Sequence, residues 1–106
     1  MLLQSGTTPR DSGLYDFILP IYYKNFGVDI RVVAVGTGQA IKNSRNCNAD
    51  ILIVHDKLEE LKLMEDGYGF SRKLFMFNNF VIVGPKSDPA KIKSVSNVKL
   101  AFEKIF

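Results

Sequence analysis

In 106 residues the chain has a single cysteine, Cys47, and a single histidine, His55. A disulfide within the chain is therefore excluded, and a multi-ligand Cys/His metal site is not expected. Long apolar runs are missing too. Apolar residues make up 46% of the sequence, but polar ones interrupt them throughout, so no segment reads as a membrane span. A strong charge of one sign is also absent. The 14 Lys and Arg face 11 Asp and Glu, and the net +3 is spread along the chain. A pI near 9.1 then says little about nucleic acid, and no nucleic-acid partner is expected. Repeats and low-complexity segments are lacking. No G-x-x-x-x-G-K-[ST] phosphate loop occurs, which argues against a nucleoside triphosphatase. Met1-Leu2-Leu3-Gln4 leads straight into a polar turn, with no basic n-region, apolar h-region or cleavage site. The expectation is a cytoplasmic protein or an export signal outside this chain.

What is present is ordinary globular material. Charged residues are 24%, aromatics 11%, and the mean hydropathy is +0.03, too apolar and too aromatic for disorder. The length suits one domain, or one lobe of a larger protein. Met1 to Ser5 is a short, partly apolar element that ends at the turn cluster Gly6-Thr7-Thr8-Pro9. Leu14, Phe17, Ile18, Ile21 and Tyr22 then recur with helical spacing on one face. Asp11 or Ser12 is the expected N-cap, Pro20 is expected to kink the helix or redirect the chain, and Gly27 is its stop. Asp29 to Val35 reads as a strand, and Gly36-Thr37-Gly38-Gln39-Ala40 opens a helix through about Asn43. Ser44 to Asn48 reads as a loop. Ala49 to Val54 is a nearly continuous apolar run, the mark of a parallel strand covered on both faces. Lys57 to Asp66 is expected to be helical, with Leu58, Leu61 and Met64 on one face, and Gly67-Tyr68-Gly69 breaks it. Leu74 to Phe77 and Phe80 to Val83 form a further apolar run around Asn78-Asn79, read as a fourth strand. Gly84 to Pro89 is linker-like, and a helix from Val98 to Phe106 closes the chain. The alternation of strand and helix predicts an α/β fold with a mostly parallel sheet and flanking helices.

In such sheets ligands bind beyond the C-terminal ends of the strands, in the loops that enter helices. Three loops qualify: Ser5 to Ser12, Gly36 to Gln39, and His55-Asp56. The first two combine glycines, which let a backbone approach a ligand closely, with hydroxyls and helix N-termini. Such neutral donors suit an anion. The competing reading is that the hydroxyls simply cap two helices.

Three other signals weigh less. Gly36-x-Gly38 after a strand resembles a dinucleotide fingerprint, with Asp56 about 20 residues on. Ile41 at the third glycine position would crowd the helix–sheet contact, so no nicotinamide or flavin cofactor is expected. Cys47 and His55 stand at opposite ends of one strand, roughly 20 Å apart at about 3.3 Å per residue, so they form no nucleophile–base pair. No other paired catalytic residues emerge, and the chain is not expected to be an enzyme. Phe70, Phe75, Phe77 and Phe80 with Arg72 and Lys73 suit strand burial better than nucleic-acid stacking.

Thr7-Thr8-Pro9-Arg10-Asp11-Ser12-Gly13-Leu14, Val33-Ala34-Val35-Gly36-Thr37-Gly38-Gln39-Ala40 and Ala49-Asp50-Ile51-Leu52-Ile53-Val54-His55 together resemble the substrate-binding protein of bacterial ABC-type tungstate transporters. Gly67 to Arg72 and Asn78 to Pro85 continue the likeness in the same order. The resemblance implies a type II periplasmic binding protein fold, with two α/β lobes closing on tungstate or molybdate for delivery to a membrane permease. It implies an extracytoplasmic location, no cofactor and no metal beyond the oxyanion itself. Residues 1–84 correspond to the first lobe without its returning C-terminal segment. Residues 85–106 correspond to the crossover and the first helix of an incomplete second lobe. The implied ligand contacts are Thr7, Thr8, Arg10, Thr37 and Gly38, Arg10 and Gly38 through their backbone N–H groups, with positioning roles for His55 and Arg72. Thr8 stands where the family usually has Ser in a T-T-S-T run, and Pro9 departs from its Thr, losing a hydroxyl and an N–H. Nothing like the family's second-lobe S-R-G-D-D-S-G-T motif is present. Exposed apolar surface, and self-association through it, is expected where the returning segment is missing. A second reading is the anion-sensing domain of an intracellular regulator with the same fold.

Overall fold

The computed structural model describes residues 1–106. In chain order the elements are β1 (Leu2–Ser5), α1 (Thr7–Asp11), α2 (Leu14–Phe26), β2 (Arg31–Ala34), α3 (Thr37–Arg45), β3 (Ile51–Ile53), α4 (Lys57–Glu65) and α5 (Val98–Ile105). The chain divides into two compact units, Met1–Leu74 and Phe75–Phe106.

The first unit holds a three-stranded sheet in the order β2-β1-β3, parallel at both pairings. Leu2 to Ser5 pair in register with Arg31 to Ala34, and Leu3 to Ser5 with Ile51 to Ile53. The sheet is thus the parallel α/β arrangement that the sequence pattern predicts. Its centre is β1, the least apolar of the three strands, in which Leu3, Gln4 and Ser5 are all buried. Gly6 after β1, Tyr15 of α2, Ala40 and Ile41 of α3 and Leu63 of α4 complete the buried set of this unit. Each fully covered aliphatic side chain of this kind contributes roughly 1.5–3 kcal/mol. Gln4 is buried without cost because its amide donates to the Asn48 carbonyl (3.1 Å) and its Oε1 accepts from Asn43 Nδ2 (3.0 Å). On the far side of α3, Arg45 binds Asp66 at 2.6 Å and lies over the Tyr68 ring, tying the C-terminal ends of α3 and α4.

Several expectations are corrected. The segment after Gly6 is not a loop but the short helix α1, so Asp11 and Ser12 end that helix and do not begin the next. Ser12 Oγ donates back to the Pro9 carbonyl at 2.8 Å, and the N-cap of α2 is Gly13, in the left-handed region at φ 79°. The helix α2 runs through Pro20 to Phe26, and Gly27 stops it as expected, at φ 69°, donating to the Tyr23 carbonyl. The helix after β2 runs two residues further than expected, to Arg45. The apolar faces read on α2 and α4 are not the buried ones. Phe17 is 72% exposed and Leu58 78%, while Tyr15 and Leu63 are buried. Periodicity marks a face that can be covered, and which face meets the sheet depends on the approach of the neighbouring elements.

The fourth strand does not form. Residues 74–83 have no regular structure, and Phe77, Phe80 and Val83 are almost fully exposed. A strand requires a partner's backbone groups, and this segment pairs with none. In the second unit the Asp88 carboxylate accepts the Ile92 and Lys93 amides at 2.9 and 3.0 Å. Those two backbone bonds hold its pKa below the usual carboxylate value. Asn97 caps α5 by accepting the Lys99 and Leu100 amides, and α5 buries Ala101.

Candidate functional site

Because all three strands are parallel, their C-terminal ends lie on one edge of the sheet. There β1 leads to Gly6 and α1, β2 to Gly36 and α3, and β3 to His55 and α4. A methyl group placed on Gly6 would lie 3.7 Å from Thr37 Oγ1 and 3.7 Å from His55 Nδ1. One glycine therefore faces a hydroxyl from the second strand end and an imidazole from the third.

Both helices at the first two strand ends start without a side-chain cap. Their N-cap residues are Gly6 and Gly36, so the threonine hydroxyls do not cap them. In α3 the first intrahelical bond runs from the Ala40 amide to the Gly36 carbonyl at 3.0 Å. The amides of Thr37, Gly38 and Gln39 precede it and have no partner within the helix. In α1 the amides of Thr7 and Thr8 are in the same position, and Pro9 has no N–H. α4 differs. Asp56 caps it by accepting the Glu59 amide at 3.2 Å, so a carboxylate occupies that N-terminus.

The residues expected as ligand contacts stand as follows. Thr7, Thr8, Arg10 and Gly38 are exposed and Thr37 is half-buried. The contact expected at Arg10 is its backbone N–H, and its guanidinium pairs on the surface with its neighbour Asp11 at 2.8 Å. Arg72 is bound to Glu60 of α4 at 2.7 Å in a half-buried pair. Thr37 and His55 are each brought against Gly6. Sequence reasoning did not single out Gly6, and it missed the two hydroxyls behind it. Ser5 Oγ, fully buried, donates to the Gly6 carbonyl at 2.7 Å and lies 2.5 Å from the Tyr15 hydroxyl. Burial pushes the Tyr15 phenol above its ordinary pKa. No sequence signal pairs residues ten positions apart across a glycine turn.

Chemically, the strand ends offer neutral backbone donors, hydroxyls and an imidazole, with the first-turn partial positive charge of two helices. That set is chemically suited to an anion.

The full chain, residues 1–106, matches the model of the PBP superfamily domain. It is 44% identical over 93 residues to the tungstate-binding protein TupA of Peptoclostridium acidaminophilum, covering 88% of this chain and 32% of that protein. The chain thus spans about a third of the length of the curated relatives it matches. Among solved structures it resembles the tungstate-binding protein TupA from Desulfovibrio alaskensis G20, with a TM-score of 0.89 at 39% identity, over 99% of this chain and 42% of that one. It also resembles the tungstate ABC transporter structure from Geobacter sulfurreducens, with a TM-score of 0.88 at 40% identity, over 99% of this chain and 45% of that one. With its whole length matched and its parallel sheet shared with these structures, the chain belongs to the PBP superfamily.

Proposed function

We propose that the chain supplies one anion-binding lobe of a solute receptor for a tetrahedral oxyanion, tungstate first and molybdate second, in an extracytoplasmic ABC-type uptake system. The observation that carries this reading is the pair of glycine-capped helix starts at adjacent strand ends, with Thr37 and His55 facing Gly6 between them. Relatives named for tungstate binding support the choice of anion. Binding is non-covalent: the amides of Thr7, Thr8, Thr37 and Gly38 and the three threonine hydroxyls donate to the oxyanion. The partner that receives the anion is a permease. A single lobe leaves one side of the anion in water, so its affinity falls far below that of a closed two-lobe site.

The test is a 15N–1H titration of the 106-residue chain with tungstate, molybdate, sulfate and phosphate. The expected result is a saturable shift confined to Thr7, Thr8, Thr37 and Gly38, larger with tungstate and molybdate than with sulfate. Shifts scattered over the lysine-bearing surface, with none at these four amides, would refute the assignment.

A further inference from the structure

The donor at the first strand end is aimed from behind by a buried hydroxyl chain. Ser5 Oγ carries one proton, and the Gly6 carbonyl 2.7 Å away can only accept it. The Tyr15 hydroxyl, also in contact with Ser5 Oγ, must then be the donor in that second bond. The order is therefore Tyr15 O–H to Ser5 Oγ, and Ser5 O–H to the Gly6 oxygen. No peptide bond in the chain is cis. In a trans peptide the carbonyl oxygen and the next N–H lie in one plane and point in opposite directions. Holding the Gly6 oxygen inward therefore turns the Thr7 N–H outward, to the open side of the strand end. The same residue is fixed on its other side, where the Gly6 amide donates to the Ile53 carbonyl of β3 at 2.9 Å.

We propose that Tyr15, acting through Ser5, is a positioning residue that fixes the plane of the Gly6–Thr7 peptide and so aims the Thr7 amide at the anion site. Its consequence for binding rests on the anion reading above; its consequence for the peptide does not. Tyr15 comes from α2, which lends no residue to the strand ends. The device links the helix whose outer apolar face is exposed to the first donor of the site.

The experiment uses Tyr15→Phe, Ser5→Ala, the double variant and Leu63→Val. Leu63 is buried in α4 and serves as a control that loosens packing elsewhere. Circular dichroism selects conditions in which all are folded. In the anion-free state, 15N relaxation should show lost order at the Gly6 and Thr7 amides in Tyr15→Phe and in Ser5→Ala, and none there in Leu63→Val. With tungstate, the two single variants should each weaken binding about five- to tenfold, the scale of one hydrogen bond. The double variant should bind no more weakly than Ser5→Ala, because Tyr15 acts only through Ser5. Unchanged order at Thr7 in Tyr15→Phe, or equal loss of affinity in Leu63→Val, overturns the proposal. If the unaltered chain ignores tungstate while order at Thr7 still depends on Tyr15, the positioning stands and the anion assignment falls.

Discussion

The Tyr15 hydroxyl lies 2.5 Å from Ser5 Oγ, with both residues buried, and so bonds the first long helix to the last residue of the central strand. This contact has a pH signature. The phenol titrates at its ordinary 10.0 when unfolded and above that in the fold, chiefly because burial disfavours the phenolate. The folded state therefore holds its proton longer. Its contribution to stability is whole below pH 10 and is lost as pH rises from there through the folded value. Urea denaturation of the parent and of Tyr15→Phe across this range should show the steeper alkaline decline in the parent. Parallel curves would mean that the phenol is free to ionise in the folded chain.

Gln4 should be costly to replace by an apolar residue of similar size. It is 3% exposed and joins Asn43 to the Asn48 carbonyl. Gln4→Leu leaves those groups without their partner at the sheet face, and a stability loss of about 1–3 kcal/mol is expected. The denaturation midpoint measures it. An unchanged midpoint would show that water replaces the amide there.

Gly6→Ala separates folding from binding. Gly6 has φ −63°, which any residue adopts, and the added methyl would sit 3.7 Å from Thr37 Oγ1 and His55 Nδ1, an ordinary contact. The fold should therefore persist with the melting temperature nearly unchanged. The methyl fills the space the strand ends enclose, so the tungstate response at Thr7 and Thr37 should weaken by at least about tenfold, or 1.4 kcal/mol. A variant that binds as the parent does would place the anion elsewhere.

Cys47 offers a route to added stability. It follows α3 in the left-handed region, at φ 58°. A side chain there costs about 1–2 kcal/mol, partly offset by glycine's greater freedom in the unfolded chain. Cys47→Gly should thus raise stability by about 0.5–1 kcal/mol, and Cys47→Ala should not. Thermal melts of the two variants decide it, since a gain in both would point to the thiol and not to the backbone.

The sequence by itself determined the parallel α/β class, because β-branched runs alternating with helical spacing leave few other arrangements. It also located the glycine- and hydroxyl-bearing segments after the first two strands, and Gly27 as a helix stop. Those features depend on neighbours a few residues apart. What the tertiary structure alone decided depends on distant partners. The centre of the sheet is β1 and not the most apolar run, because Gln4 and Ser5 find their partners in Asn43, Asn48 and Tyr15. Residues 74–83 carry the apolar pattern of a strand, yet they form none. The outer faces of α2 and α4 carry helical periodicity but stay open. Gly6, reached by Thr37 from one strand end and His55 from another, becomes the centre of the site only when parallel strands bring three loops to one edge. Local sequence specifies elements and turns. Burial of a polar side chain, and the meeting of three loops, are settled by long-range hydrogen bonds that spacing does not record.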